Sequence, residues 1–179
     1  MKHAAFFRNT NLGRPKSPSR AQLEAAFLDA GAASAQSFLT NGTLVFESTN
    51  AEAAAVAAQA RQNLNAVCGL VEPVFIRSLT QLRALVAKEP FAAIDAEDVY
   101  ERCATFLPIN AGRKVVVPQS NARGDVEIIA RRGDAVFSLS RKFGASPGSP
   151  NAYLEKLLEV PATTRAWNTI VRLVAKFAD

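Results

Sequence analysis

The sequence is poor in the residues that most enzymes and metal sites need. Its 179 residues include one His, two Cys and one Trp. Two Cys are too few for a disulfide scaffold, and a single His without ligand-spaced partners counts against a zinc site. No G-x-S-x-G turn, Walker glycine-lysine loop or dinucleotide glycine fingerprint is present. We therefore expect no metal, no cofactor and none of the common nucleophile or nucleotide chemistry.

The sequence also lacks a long apolar run. Its longest charge-free stretch, residues 30–46, is interrupted by Ser, Gln, Thr and Asn and does not predict a membrane span. The first residues, MKHAAFFR, have neither the apolar run nor the small-residue cleavage site of a secretion signal. We expect a cytoplasmic protein in which Cys68 and Cys103 are reduced thiols that fill the core.

Basic charge is concentrated near the start of the chain. The formal net charge is +5, and residues 1–20 contain no acidic residue but five basic ones, namely Lys2, Arg8, Arg14, Lys16 and Arg20. A second basic group, mixed with acids, consists of Arg113, Lys114, Arg123, Arg131, Arg132, Arg141 and Lys142. Such clustering favours an anionic partner, although a solvated surface of mixed charge gives the same pattern.

The first half of the chain alternates between strand and helix signals. Four apolar runs predict strands, at residues 3–8, 36–40, 43–48 and 72–77, and Asn41-Gly42 predicts a tight hairpin. Two capping boxes predict helix starts, one of Ser19 with Gln22 and one of Thr49 with Glu52. The order strand-helix-strand-strand-helix-strand is that of a ferredoxin-like unit in an α+β fold.

The second half is richer in strands. It predicts a helix capped by Ser78, strands at 99–107, 113–117, 126–130 and 135–140, and helices at 152–159 and 164–177. In the last helix Trp167 lies on the apolar face, whereas Arg165, Asn168, Arg172 and Lys176 share a polar face. We predict two packed halves, a ferredoxin-like half at residues 1–77 and a mixed α+β half at 78–179.

Two further features predict structure rather than chemistry. His3 lies in the first predicted strand with no nucleophile or ligand beside it, so we expect a non-catalytic residue. The acidic residues Asp95, Glu97, Asp98 and Glu101 are typical of a solvated turn or helix start, and a divalent metal site is the less favoured alternative.

The polar segment after the first strand is the strongest candidate site. It contains Arg8, Asn11, Gly13, Arg14 and Lys16 and precedes the first predicted helix. Such a loop presents cations and backbone N–H groups to an anion, aided by the dipole of the following helix. Asn11 and Gly13 tolerate the positive φ that helps a loop close around a ligand. A structural turn with solvated cations is the alternative.

Several segments resemble one bacterial family. ATTRAWNT (162–169) is similar to the A-T-T-R-N-W-N-T signature of the bacterial domain-of-unknown-function family 1697. RNTNLG (8–13) is similar to its R-G-I-N-V-G segment, FLTNGTLVF (38–46) to its Y-I-Q-S-G-N-V-V-F hairpin, and Phe106-Leu107 to a second-half strand. This chain departs from the family pattern at Asn9, Thr43 and Ala166, and adds Pro147 and Pro150. The resemblance implies a two-part α+β fold built on ferredoxin-like units and no established activity.

We predict a binding module for an anionic ligand, either a phosphate-bearing metabolite or nucleic acid. Its ligand-binding residues are predicted to be Arg8, Asn11, Gly13, Arg14, Lys16, Arg165 and Asn168, on the hypothesis that the two segments meet in space. Any nucleic-acid binding is expected to be weak and independent of sequence, because exposed aromatic pairs are lacking. The alternatives are an enzyme that uses Asn, Thr and Arg, and a structural or oligomer-forming protein that pairs through a free sheet edge.

Overall fold

Two antiparallel sheets organise the chain, whose computed structural model describes residues 1–95 and 97–177. Within these ranges the protein has five α-helices and nine strands, which confirms the predicted mixture of helix and antiparallel sheet. A first unit comprises Met1–Leu82 with Lys176 and Phe177, and a second comprises Arg83–Ala175. In the described part of the chain, none of the helices has the length and apolar character needed to cross a membrane.

The first unit contains a four-stranded sheet. Its elements in chain order are β1 (Lys2–Phe7), α1 (Arg20–Asp29), β2 (Ser34–Phe38), β3 (Thr43–Glu47), α2 (Ala53–Cys68), β4 (Val74–Ser78) and the start of α3 (Leu79–Val86). The strands are arranged β2-β3-β1-β4, and each neighbouring pair is antiparallel. Therefore β1 is a central strand, paired along both of its edges.

Short-range signals explain the start of α1 and the β2–β3 hairpin. Gln22 N donates to Ser19 Oγ (3.2 Å) and Ser19 N donates to Gln22 Oε1 (2.8 Å), so the predicted capping box forms. Gly42 has a φ of +67°, and a Cβ at this position would lie 2.8 Å from the Cβ of Thr10. Both the left-handed backbone and the close approach of Thr10 therefore require glycine in the hairpin.

The start of α2 differs from its prediction. Glu52 N donates to Thr49 Oγ1 (3.3 Å), but the Glu52 carboxylate accepts the Thr49 hydroxyl (2.7 Å) instead of a backbone N–H. Only half of the predicted capping box forms. As a result α2 begins at Ala53 without a side-chain cap.

Both faces of β1 are buried. Phe7 belongs to the core shared with α1 and α2, where its ring meets that of Phe27 edge to face with centroids 6.2 Å apart. Phe6 is fully buried on the opposite face, which it shares with Phe38, and the Phe38 ring meets that of Phe177 at 6.0 Å. Neither Phe6 nor Phe7 is exposed for base stacking, the mode by which ferredoxin-like RNA binders use their central strands.

The second unit contains the remainder of α3 and a five-stranded sheet. Its other elements are β5 (Glu101–Phe106), a 3-10 helix (Ala111–Lys114), β6 (Gln119–Ser120), β7 (Val126–Arg132), β8 (Ala135–Ser140), α4 (Pro150–Leu158), β9 (Thr163–Ala166) and most of α5 (Trp167–Phe177). The strand order is β6-β7-β8-β5-β9, with antiparallel neighbours throughout.

The predicted strand at residues 113–117 is wrong. The Asp134 carboxylate accepts the N–H groups of Asn110 (3.0 Å) and Gly112 (2.9 Å), which holds the segment in a 3-10 turn. A side chain at Gly112 would overlap the carbonyl oxygen of Gly133, so the turn also requires glycine. A two-residue strand, β6, follows this turn instead.

The helix predicted at 164–177 is wrong in its first turn. Thr163–Ala166 pairs with β5 as a strand, and α5 begins only at Trp167. Across this pair the hydroxyls of Thr105 and Thr164 are 2.7 Å apart. β-branched threonines suit a strand, and this pairing outweighs the helical spacing of the sequence.

The prediction that Trp167 is part of the core leads to a stability test. Trp167 is half-buried, and its ring centroid lies 5.6 Å from that of Phe91 and 5.5 Å from that of Phe137. We expect Trp167→Ala to lower the free energy of unfolding by about 3 kcal/mol, because this packing is lost. The matched control is Asn168→Ala at the exposed neighbouring position, which should change it by less than about 0.5 kcal/mol.

The free energy of unfolding of both variants is measured by urea unfolding monitored by far-UV circular dichroism. Tryptophan fluorescence is unsuitable, because Trp167 is the one tryptophan of the chain. Equal unfolding midpoints for the two variants would contradict a packing role for the Trp167 ring.

Candidate functional site

The first of the predicted site residues, Arg8, is held by an acidic partner. Its Nη1 lies 2.8 Å from Glu72 Oε2, and both side chains are about one-quarter exposed. The Glu72 carboxylate neutralises most of the charge that Arg8 offers to a ligand. Arg8 therefore ties the end of β1 to the segment that precedes β4.

The remainder of the predicted loop, residues 9–18, uses many of its backbone N–H groups internally. Four of them donate to backbone carbonyls: Leu12 to Thr40, Gly13 to Pro18, Arg14 to Asn11 and Ser17 to Arg14, at 2.8–3.2 Å. Gly13 has the expected positive φ of +78°, but the positive φ expected at Asn11 occurs instead at Asn9 and Lys16. The side chains of Asn11, Arg14 and Lys16 are exposed, and they carry the capacity of this loop to attract anions.

The two predicted residues of the C-terminal signature lie on different elements. Arg165 is on β9 and buried, where its Nη1 donates to Thr163 Oγ1 (2.8 Å) and the Thr164 carbonyl (2.9 Å). Burial lowers the pKa of the Arg165 guanidinium to about 10, so it remains charged at neutral pH. Asn168 is exposed in the first turn of α5, and the predicted helical face shared by Arg165 and Asn168 is wrong.

The predicted site residues are divided between the units. Arg8, Asn11, Gly13, Arg14 and Lys16 belong to the first unit, whereas Arg165 and Asn168 belong to the second. The hypothesis that the two segments meet in space stays a prediction.

A cavity of about 730 Å³ in the second unit has no direct signal in the sequence. It lies between the β6–β7 turn, the loop that precedes α4 and the first two turns of α4. Its polar lining comes from Asn121, Arg123, Asp125, Ser149, Tyr153 and Lys156. The Gly/Pro/Ser-rich loop 143–151 ahead of a helix is visible in the sequence, but its pairing with the turn at 121–125 is not.

One wall of this cavity is built around the buried carboxylate of Asp125. Asn121 Nδ2 donates to Asp125 Oδ1 (2.6 Å), and Arg123 Nε lies 3.0 Å from Asp125 Oδ2. The Asp125 backbone carbonyl accepts the N–H of Arg141 (2.8 Å). These contacts satisfy Asp125 internally and give it a structural role.

The open side of the cavity is cationic. Arg123 is 64% exposed although it contacts Asp125, and Lys156 is exposed on α4. Ser149 Oγ caps α4 by accepting the N–H of Ala152 (3.2 Å), so the positive end of the helix dipole faces the same space. The cavity thus combines the exposed Lys156 with a helix start and with Arg123, whose guanidinium also contacts Asp125 and donates to the Phe143 carbonyl (3.2 Å). Lys156 and the helix start attract anions.

The described residues also define the environment of Cys103 and the placement of possible metal ligands. Burial raises the pKa of the Cys103 thiol to about 12, which keeps it protonated at neutral pH. Among the residues in the described ranges, no group of three or more His, Cys, Asp or Glu side chains is placed to hold a metal ion.

Similarity to known proteins extends over the chain. The family model "Protein of unknown function (DUF1697)" matches residues 1–137. The solved structure of the conserved bacterial protein SP0830 from Streptococcus pneumoniae has a similar fold, with a TM-score of 0.69 at 18% sequence identity over 99% of this chain and 98% of that one. No curated protein matches.

Gly148 is the position in the cavity wall where a side chain should be least tolerated. A Cβ there would overlap the Asp125 carbonyl oxygen and lie 2.9 Å from Asp125 Cγ. We expect Gly148→Ala to lower the free energy of unfolding by about 1–3 kcal/mol, because backbone must move. Ser146→Ala, in the exposed part of the same loop, should change it by less than about 0.5 kcal/mol. A Gly148→Ala protein as stable as the parent in urea would contradict this packing.

Proposed function

This chain belongs to the DUF1697 family of proteins of unknown function, and we propose that it is a binding module for an anionic, phosphate-bearing small molecule. The observation that carries the proposal is the cavity of about 730 Å³ in the second unit. Its volume lies within the range of about 300–1,000 Å³ that small-molecule sites occupy. The first-unit loop predicted from the sequence becomes a secondary, electrostatic element of the proposal.

The chemistry of the cavity supports a ligand with an apolar part and a phosphate. Apolar surface comes from Ala122, Pro147 and Leu157, and the Tyr153 ring adds a flat aromatic surface. The Tyr153 hydroxyl donates to the Ser120 carbonyl (3.3 Å). Arg123 and Lys156 lie on the same lining and supply positive charge. Two exposed cations and a helix start favour a phosphate over a neutral ligand.

The exposed cations of the first-unit loop support a more general attraction for anions. Arg14 and Lys16 lie in the segment of the chain that carries basic residues and no acid. We propose that they, with Asn11 and Gly13, raise the local concentration of phosphate-bearing partners without recognising a particular one.

The arrangement of the first half of the chain supports a ferredoxin-like fold. The β2-β3-β1-β4 order, the antiparallel pairing and the strand-helix-strand-strand-helix-strand sequence support a ferredoxin-like arrangement at residues 1–77. We propose that this half and residues 78–179 act together in the bacterial cytoplasm. There are two competing functions. One is an enzyme that uses Asn, Thr and Arg, which turnover of a bound ligand would reveal. The other is a protein that associates through the β2 or β4 edge, which its molecular mass in solution would reveal.

Phosphorylated ligands should stabilise the protein, whereas their unphosphorylated parents should not. Thermal-shift measurements compare adenosine monophosphate with adenosine, and glucose 6-phosphate with glucose. A ligand present at about 100 times its Kd adds about 2.7 kcal/mol of stability, which is readily seen. We expect the double variant Arg123→Gln, Lys156→Gln to lose the shift, because it removes both cations from the cavity.

The matched control for this cavity test is Arg131→Gln, Arg132→Gln, which makes the same charge change at exposed positions on β7. This variant should retain the shift. A shift that persists in the cavity variant, or no shift with either phosphorylated compound, would overturn the assignment of the cavity.

Nucleic-acid binding should be weak, electrostatic and independent of sequence. Because Phe6 and Phe7 are buried, binding would depend on Arg14, Lys16 and their basic neighbours, and should fall steeply with salt through counterion release. Fluorescence anisotropy with single-stranded and duplex oligonucleotides at two salt concentrations measures this. We expect the wild type to bind at low salt and the Arg14→Ala, Lys16→Ala variant to lose this binding. Tight binding that persists at high salt would show that another surface is used.

A further inference from the structure

A second cavity, of about 300 Å³, lies in the first unit beside the amino-terminal end of β1. Since β3 and β4 both run antiparallel to β1, their carboxyl ends flank His3, which is in register with Phe46 and Ser78. β3 leads into α2, and β4 leads directly into α3. The topology therefore brings the starts of two helices to one place, and His3, Ala54, Arg77 and Ser78 line the space between them.

The start of α2 supplies positive potential to this cavity. The helix has no side-chain cap, and Ala54 in its first turn lines the cavity. N–H groups in the first turn of a helix have no intrahelical partner and carry the positive end of its dipole. In α2 the Ala53 N–H donates to the Thr49 carbonyl (3.1 Å), so the groups that follow it carry this positive end. At α3 the corresponding groups are partly used, because Gln81 N donates to Ser78 Oγ (3.1 Å) and Ser78 N donates to the Gln81 side chain (3.0 Å).

His3 is a buried polar group that the fold of the first unit leaves incomplete. The residue is 4% exposed, and its Nε2 has no hydrogen-bond partner among the described residues. A hydrogen bond to the Ser48 backbone raises the pKa of His3, so Nδ1 donates there and Nε2 carries the lone pair. Burial, followed by the positive amino terminus, outweighs this bond and lowers the pKa, so the imidazole is neutral at pH 7.

Most of the charged side chains on the strands beside this cavity lie on the face of the sheet opposite His3. Lys2 and Glu47 are cross-strand partners on the other face of the sheet, where Lys2 Nζ donates to the Phe177 carbonyl (3.1 Å). Before α2 the Glu52 carboxylate accepts the Thr49 hydroxyl. On the His3 side the amino-terminal ammonium acts on the imidazole, whereas Arg77 is in register with Ala4 and so belongs, with Lys2, to the other face of the sheet.

We propose that this cavity binds an inorganic phosphate-type oxyanion that donates its own hydroxyl hydrogen to His3 Nε2. The amino-terminal ammonium and the start of α2 disfavour a metal cation, and the unpartnered Nε2 favours a ligand that donates a hydrogen bond. Hydrogen phosphate meets both conditions at neutral pH, since it is an anion and keeps a hydroxyl hydrogen. Sulfate and most of a phosphate monoester at pH 8 have lost that hydrogen. The site shares no residue with the second-unit cavity and stands apart from the function proposed for it.

The single histidine makes a direct test possible. Two-dimensional NMR of the ¹⁵N-labelled full chain shows one imidazole, so its signal is identified at once. Titration with sodium phosphate at pH 8 should shift the His3 Nε2 signal saturably, and sodium sulfate and methyl phosphate should bind at least about tenfold more weakly. Sulfate affinity should increase as the pH falls through the lowered pKa of His3, because the imidazolium can then donate. No saturable shift with phosphate, or equal affinities for phosphate and sulfate at pH 8, would overturn the proposal.

Two variants test whether the phosphate binds in this cavity or at another place on the protein. Ala54→Glu places a negative charge at an exposed position on the cavity lining, and Ala58→Glu places the same charge one turn later on α2. Phosphate affinity, read from the His3 signal, should fall at least about fivefold in the first variant and stay unchanged in the second. Equal affinities in the two variants would place the phosphate elsewhere.

His3→Asn keeps an amide that can donate to the Ser48 backbone but removes Nε2. Isothermal titration should show loss of phosphate binding in this variant, with folding checked by far-UV circular dichroism, and retained binding would contradict the role of His3. In the Arg123→Gln, Lys156→Gln variant the His3 response to phosphate should persist, which distinguishes failure of this proposal from failure of the second-unit cavity.

Discussion

The first unit depends on β1, a strand that is buried on both faces and paired with a neighbouring strand along both edges. Its residues KHAAFF show no polar alternation, since each face of the strand meets apolar side chains. Antiparallel pairing with β3 and β4 then satisfies the backbone of β1 and fixes where those strands end. Because α3 follows β4 directly and α2 follows β3 after five residues, the register of β1 places one polar residue, His3, beside two helix starts.

Short-range features were predictable from the sequence. The Ser19 capping box joins residues three positions apart, and the strand pair next to the Asn41-Gly42 turn joins residues five positions apart; the structure confirms both. The features that could not be predicted depend on contacts between residues far apart in the chain. Asp134 converts residues 111–114 into a 3-10 helix from 22 positions away, and Glu72 neutralises Arg8 across 64 positions. Similarly, β9 had helical spacing and became a strand because β5 offered an edge. The second-unit cavity requires a turn and a loop to meet, which no local pattern encodes.

The segment that resembles the family signature has clear structural duties. Thr164 links three elements, because its hydroxyl contacts Thr105 on β5 and donates to Asn151 Oδ1 on α4 (3.1 Å). Arg165 bonds within its own strand, and Trp167 packs on Phe91 and Phe137. A distinctive set of Thr, Arg and Trp residues can therefore mark the joining of a strand, a helix and a core. Within the second unit, the cavity lies among residues that carry no such signature.

The first unit includes Lys176 and Phe177, which come 94 and 95 positions after Leu82, the last residue of its main part. The aromatic contact between Phe38 and Phe177 and the hydrogen bond from Lys2 to the Phe177 carbonyl are both made inside that unit. At a synthesis rate of about 5–20 residues per second, the Phe177 ring is therefore added roughly 5–20 s after Leu82, and Phe38 lacks this contact until then. The nascent first unit therefore lacks this aromatic contact throughout the translation of the second unit.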